Sequence, residues 1–176
     1  IDAENFPFCT IEPNAGVVSV PDPRQDAIQA LVKPEKAIPA TMEFVDIAGL
    51  VAGASKGEGL GNQFLGHIRG VDAVIAMLRC FEGDDVSHVE GSIDPIRDAD
   101  IVETELLLAD LESLERRAER MRRSIKGADH KEKALYDLMM QVLEALRDGH
   151  PAREVNYSDD EAPFFKELAL LTAKPI

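Results

Sequence analysis

The chain has 176 residues, an apolar fraction of 45% and a formal net charge of −14, which is enough to bury the core of one domain with an appendage. The negative charge argues against broad electrostatic attachment to DNA, RNA or an anionic membrane, although a local basic patch remains compatible with it. Because Cys9 and Cys80 form no disulfide or metal motif, no apolar run reaches membrane-spanning length and no signal-peptide pattern is visible, we expect a cytoplasmic protein.

The first elements are a strand and a short helix. Gly16–Val20 is rich in β-branched residues and ends before a proline, which predicts a strand. Asp22 followed by Pro23 is typical of a helix start, with Asp22 as the N-cap. Pro34 limits this helix, and its apolar face consists of Ile28, Leu31 and Val32.

An apolar run leads into a candidate phosphate and metal site. Residues 41–46 predict a buried strand with Asp46 at its carboxyl end, where open α/β sheets bind ligands. Asp46 and Gly49 form a D-x-x-G motif, and a glycine-rich stretch follows at 53–61. A P-loop NTPase uses such an Asp to hold Mg²⁺ and such a Gly near the γ-phosphate. The alternative is an ordinary surface loop between a strand and a helix.

The next segment predicts a βαβ unit. Gly61 to Arg69 is expected to be helical, with Phe64, Leu65 and Ile68 on one face. Val71 to Cys80 reads as a second buried strand, so that strand, helix and strand imply a parallel sheet. The polar stretch from Phe81 to Pro95 predicts a long loop.

Two heptad patterns then predict a helical hairpin, an antiparallel coiled coil. The turn between the two helices contains Gly127 as the expected C-cap, and Asp148–Pro151 ends the second helix. A last helix is expected to begin after the cap Ser158–Glu161 and to run through Leu171. The apolar seam comprises Leu107, Leu111, Leu114, Ala118, Met121 and Ile125 on one arm and Leu135, Met139, Val142 and Leu146 on the other.

Thr10 is a candidate second metal ligand. It lies in a Pro-rich loop ahead of the predicted edge strand and of Asp46. Switch NTPases place a Thr in such a loop, which the γ-phosphate and Mg²⁺ order and which hydrolysis releases. The order of Thr10, strand, Asp46 and glycine loop therefore predicts one Mg²⁺ site, with Thr10 and Asp46 as its ligands.

These motifs resemble the YchF / Obg-like ATPase subfamily of translation-factor-related P-loop NTPases. The resemblance rests on N-F-P-F-C-T-I-E-P-N, on F-V-D-I-A-G-L-V-A-G-A-S-K-G-E-G-L-G and on R-C-F-E-G-D-D-V. It implies an α/β Ras-like nucleotide-binding domain at 1–98, an inserted antiparallel coiled coil at 99–150 and a return to the first domain at 151–176. It also implies ATP hydrolysis in preference to GTP and association with ribosomes.

The same resemblance indicates what these residues lack. No G-x-x-x-x-G-K-[ST] motif occurs in the chain, and we expect that P-loop ahead of Ile1 and a base-reading motif beyond Ile176. The 176 residues by themselves are therefore expected to be inactive. An Obg-type GTPase and a non-hydrolysing protein- or RNA-binding adaptor with a degenerate nucleotide site remain the alternative functions.

The catalytic position of the motif carries an aliphatic residue. Leu50 stands where Ras-type enzymes have a Gln that orients the attacking water, and its side chain has no hydrogen-bonding group. The resemblance assigns this role to His88, whose near-neutral pKa as a residue type suits proton transfer. The alternative is a solvated loop histidine.

A basic cluster is the one candidate RNA-facing patch. Its alternative is the solvated face of a coiled coil. It consists of Arg116, Arg117, Arg120, Arg122, Arg123 and Lys126.

Overall fold

The structure is a computed structural model that describes residues 14–47, 60–82 and 92–176. The chain divides into two compact units, Ile1–Gly49 and Leu50–Ile176. None of the helices in the described ranges has the length and apolar character needed to cross a membrane.

The first unit contains an antiparallel pair of strands. Strand β1 (Asn14–Ser19) pairs with β2 (Thr41–Asp46), with Asn14 opposite Asp46 and Ser19 opposite Thr41. Strand β2 has the predicted bounds, whereas β1 overlaps the predicted strand Gly16–Val20 but begins two residues earlier and ends one residue earlier. The predicted burial of β2 is wrong, since Phe44 is 45% exposed. Within the described part of this unit, each strand has only the other as a sheet neighbour.

Helix α1 (Pro23–Val32) confirms the predicted start signal. Asp22 is the N-cap, its carboxylate accepts a hydrogen bond from the Arg24 N–H at 2.9 Å, and Pro23 occupies the first helical position. The helix ends at Val32, and its C-cap Lys33 has a left-handed φ of 47°. Its predicted apolar face is exposed, so the expected packing of Leu31 is not present among the described residues.

Helix α2 (Leu60–Arg69) begins the described part of the second unit. Leu65 and Ile68 are buried on one face, as predicted. The predicted buried strand 71–80 is wrong: Met77 is 92% exposed, and the segment forms neither a strand nor a helix. Its one described long-range backbone–backbone bond runs from the Val74 N–H to the Pro175 carbonyl at 3.0 Å. The expected parallel sheet is therefore absent from the described ranges, where the only sheet is antiparallel.

Helices α3 (Pro95–Arg122) and α4 (His130–Arg147) pack against each other. The core joins Leu114 and Ala118 of α3 to a stripe on α4. That stripe is broader than the predicted seam, because α5 (Ala162–Glu167) also contacts α4. The buried residues of α4 are Leu135, Leu138, Met139, Val142, Leu143 and Leu146.

The ends of these helices differ in how well the sequence predicts them. Gly127 is not a C-cap: α3 ends at Arg122, and Ile125–Gly127 forms a separate 3-10 turn. Gly149 has φ +84° and closes α4, with its N–H bonded to the Leu146 carbonyl and the His150 N–H bonded to the Ala145 carbonyl. Helix α5 has six residues and does not reach Leu171 as predicted.

Candidate functional site

Asp46 is the candidate site residue that the structure describes. It ends β2 and is exposed, and within the described ranges its carboxylate makes no hydrogen bond or ion pair. Its cross-strand partner is Asn14, the first residue of β1. The other predicted site residues lie outside the described ranges: Thr10, Gly49 and His88.

The exposed carboxylate of Asp46 has the chemistry of a magnesium ligand. A solvent-facing carboxylate supplies the hard oxygen that Mg²⁺ prefers, and Mg²⁺ keeps several water ligands, so that one or two protein oxygens suffice. Across the ranges that the structure describes, no group of three or more His, Cys, Asp or Glu side chains could form an all-protein cage.

The second unit holds a buried polar cluster that the sequence analysis missed. Asp110 on α3 is 1% exposed and accepts hydrogen bonds from the Leu171 N–H at 2.9 Å and the Thr172 N–H at 2.8 Å. The Thr172 hydroxyl donates to Asp110 Oδ2 at 2.7 Å and accepts from the Ala152 N–H at 3.1 Å. Burial raises the pKa of the Asp110 carboxyl, while these donors and the charge of Arg69 oppose that rise.

Lys174 connects the same segment to α2. Its ammonium donates to the carbonyl oxygens of Ile68 at 2.7 Å, Arg69 at 2.8 Å and Val71. Burial lowers the pKa of Lys174, although Asp72 acts against that change. A lysine at the end of a helix satisfies carbonyls that have no partner within the helix.

One sequence signal could have located this cluster. The predicted seam leaves Leu106 and Ala109 outside, yet both are buried, so α3 has a second apolar face beside the seam. Asp110 lies within that face. A charged residue inside an apolar stripe is almost never buried without partners, and it points to a polar contact from elsewhere in the chain.

The basic cluster lies around the junction of α3 and α4. Residues 116–133 contain eight Lys and Arg against three Asp and Glu, a net charge of +5, so the rest of the chain carries −19. Some of the arginines are paired: Arg116 with Glu112, Arg117 with Glu167, and Arg122 and Arg123 with Glu119. Within the described part of the chain, four exposed cations there have no carboxylate partner: Arg120, Lys126, Lys131 and Lys133.

Comparison with known proteins identifies the family of the chain. Residues 1–117 match the family described as 50S ribosome-binding GTPase. Among solved structures, the Schizosaccharomyces pombe YchF GTPase superposes with a TM-score of 0.74 at 39% identity, over 97% of this chain and 47% of that one. These matches define a P-loop GTPase-type domain. The chain belongs to the 50S ribosome-binding GTPase family.

Individual relatives are similar along nearly the whole chain. A Haemophilus influenzae protein named Ribosome-binding ATPase YchF is 53% identical over 175 residues, which cover 99% of this chain and 48% of that protein. A Bacillus subtilis protein of the same name is 45% identical over 175 residues, with the same coverage. The chain therefore spans about half the length of the curated relatives it matches, and it is similar to YchF ribosome-binding ATPases.

Proposed function

We propose that this chain is the switch-bearing part of a Mg²⁺-dependent nucleoside triphosphatase that prefers ATP to GTP and associates with ribosomes in the cytoplasm. The observation that carries the proposal is the strand register. Asp46 ends β2 opposite Asn14, which begins β1 four residues after Thr10. The first residue of the D-x-x-G motif and the strand that begins four residues after Thr10 thus share one end of the β1–β2 pair.

The roles of the residues follow from that arrangement. Asp46 and Thr10 would hold Mg²⁺, with Gly49 allowing close approach to the γ-phosphate. Bound magnesium neutralises negative charge on the phosphates. Asp46 is available to bind Mg²⁺, because its carboxylate is exposed and has no competing partner among the described residues.

His88 is proposed to orient the attacking water. Leu50 follows the D-x-x-G motif and cannot form a hydrogen bond through its side chain. His88 lies in the R-C-F-E-G-D-D-V-x-H segment that carries the resemblance and has a ring that can accept or donate a proton. Its contribution would be made mainly in the transition state.

The names of the relatives disagree about the nucleotide. The bacterial relatives are named ATPases, whereas the family description and the yeast structure say GTPase. We propose ATP, with Obg-type GTPase activity as the alternative and a non-hydrolysing adaptor as the second one. We also propose the domain division 1–98, 99–150 and 151–176, in which α3 and α4 form an inserted antiparallel coiled coil. The isolated 176 residues would be inactive without a P-loop.

The junction of α3 and α4 is the proposed contact with ribosomal RNA. A net charge of +5 over residues 116–133 stands against −19 for the rest of the chain. Because the unpaired cations are exposed, they can neutralise phosphates without first breaking an ion pair. Guanidinium groups there also match phosphate geometry.

The test is hydrolysis by the full-length protein with ATP and with GTP, each with and without Mg²⁺. We expect Mg²⁺-dependent hydrolysis with a higher kcat/KM for ATP. Asp46→Ala should abolish Mg²⁺-dependent hydrolysis. Glu43→Ala, which removes an exposed acid from the same strand, should leave that hydrolysis intact. Intact Mg²⁺-dependent turnover in Asp46→Ala would show that the metal assignment is wrong, and equal turnover of GTP would favour the alternative substrate.

A further inference from the structure

Helix α2 is held at its carboxyl end by a lysine from the last residues of the chain. The last carbonyls of a helix lack intrahelical partners, and a cation there also interacts favourably with the helix dipole. Lys174 donates to two such oxygens, those of Ile68 and Arg69, and to the carbonyl of Val71 two residues beyond the helix. The end of α2 is therefore fixed to the segment that carries Lys174.

That segment has no secondary structure of its own to hold it. It is fixed instead by Asp110, which takes the N–H groups of Leu171 and Thr172 and the Thr172 hydroxyl. Only two residue steps separate Thr172 from Lys174, about 7 Å even when fully extended. A displacement of the end of α2 must therefore pull on Asp110 or break one of these bonds.

The two helices joined in this way belong to different parts of the proposed function, α2 to nucleotide binding and α3 to ribosome binding. Helix α2 begins directly after the glycine-rich loop that follows Asp46, the part of a switch NTPase that responds to the γ-phosphate. Helix α3 carries Asp110 and continues into the basic junction at residues 116–133. The contacts of Asp110 are buried, so water cannot readily replace them.

We propose that Lys174 and Asp110 are positioning residues that couple nucleotide binding to ribosome binding, with the chain segment Leu171–Lys174 as the connection between α2 and α3. The inference rests on the proposed function, since it requires both a nucleotide and a ribosome contact. Coupling between two sites is reciprocal: ribosomes must change nucleotide affinity by the same factor by which nucleotide changes ribosome affinity.

The experiment measures that factor in the full-length protein. The affinity for a non-hydrolysable ATP analogue with Mg²⁺ is determined with and without saturating 70S ribosomes. We expect a ratio of about 5 to 150 for the unmodified protein. Lys174→Met, which keeps the length of the side chain but removes its three donors, should bring the ratio close to 1 while the ribosome-free affinity changes by no more than about twofold.

Matched variants separate coupling from folding. Lys174→Arg keeps a cationic donor and should preserve most of the ratio. Asp110→Asn weakens the contact between α3 and the segment Leu171–Lys174 and should lower the ratio. Lys166→Met removes an exposed lysine from α5 and should leave it unchanged. If Lys174→Met does not fold, hydrogen exchange in the unmodified protein decides: the analogue must change protection at 70–71 and at 108–112 together.

Two outcomes overturn the proposal. One is an unchanged ratio in Lys174→Met, and the other is a nucleotide response at 70–71 that leaves 108–112 unaffected. A protein that binds no nucleotide, or no ribosomes, would instead refute the proposed function.

Discussion

Replacing Thr172 by valine tests the buried polar cluster directly. Thr172 is fully buried, and its hydroxyl donates to Asp110 and accepts from the Ala152 N–H. Valine has nearly the same shape but no hydroxyl. Thr172→Val should therefore leave the Ala152 N–H without a partner and remove one donor from the carboxylate.

The magnitude follows from these two losses. A hydrogen bond to a charged group contributes about 1.5–3 kcal/mol, and a buried N–H left unsatisfied costs about 1–3 kcal/mol. Because the two effects share one hydroxyl and are not additive, we expect a loss of about 2–5 kcal/mol in local stability. Thr172→Ser keeps the hydroxyl and loses one methyl group, at a cost of about 1 kcal/mol.

Hydrogen exchange on the full-length protein reads this local stability residue by residue. The amides of Ala152, Leu171 and Thr172 should exchange roughly 30- to 4,000-fold faster in Thr172→Val, the equivalent of about 2–5 kcal/mol at 1.4 kcal/mol per tenfold. Thr172→Ser should remain within about tenfold of the unmodified protein. Exchange rates in the valine and serine variants that agree within about threefold would refute the reasoning, because the hydroxyl would then contribute little.

Three further predictions concern the core, the catalytic step and pH. Leu114→Asp should destabilise the α3–α4 pair by several kcal/mol, because it places a charge in the core, whereas Leu31→Asp on the exposed face of α1 should change urea unfolding by less than about 0.5 kcal/mol. In the full-length protein, His88→Ala should lower kcat about 10²-fold with little change in nucleotide affinity; unmodified turnover at saturating ATP and Mg²⁺ would contradict the assignment. Since burial raises the pKa of Asp110, the folded state binds its proton more tightly, so its contribution to stability is full below about pH 3.9 and is lost as pH rises through the raised pKa. The stability difference between the unmodified protein and Asp110→Asn should therefore fall as pH rises through that window, and a difference that increases with pH would be inconsistent with a raised pKa.

Local signals predicted the elements best. The Asp22–Pro23 start of α1, the strand at 41–46 and the Gly149 end of α4 depend on groups within a few residues of each other, and all three are confirmed. Gly127 is the exception. Although glycine favours a C-cap, the chain already leaves α3 at Arg122.

Pairing over long distances was predicted less well. The sequence indicated a strand at 71–80 from its apolar residues, but a strand needs a neighbour to satisfy its backbone groups. Among the described residues, the structure supplies one long-range backbone–backbone bond to that segment, from the Val74 N–H to the carbonyl of Pro175. Composition shows that a segment is suited to a strand, but it does not show which segment will pair with it.

The same contrast between local and long-range signals holds for the functional residues. Asp46 was located correctly at the end of its strand, because the motif and the strand are adjacent in sequence. The partners of Asp110 were missed, because they lie 61 and 62 residues away along the chain. The heptad pattern identified the face of α3 that meets α4 but gave no indication of what meets the neighbouring face.

The premature end of α5 shows how one face of α3 determines the structure of a remote segment. A helix through Leu171 would donate the Leu171 N–H to the Glu167 carbonyl, four residues back. Instead, Arg117 donates to that carbonyl at 3.2 Å, and Asp110 accepts from the Leu171 N–H at 2.9 Å. Asp110 and Arg117 are seven residues apart on α3 and so lie on the same face, two turns from each other. Both groups of the missing helical bond are thus occupied by side chains of one helix face, and the left-handed Ala169, at φ 51°, completes the break between them. The residue types at 168–171 are compatible with a helix, but the hydrogen bonds from two charged residues on α3 compete with its continuation.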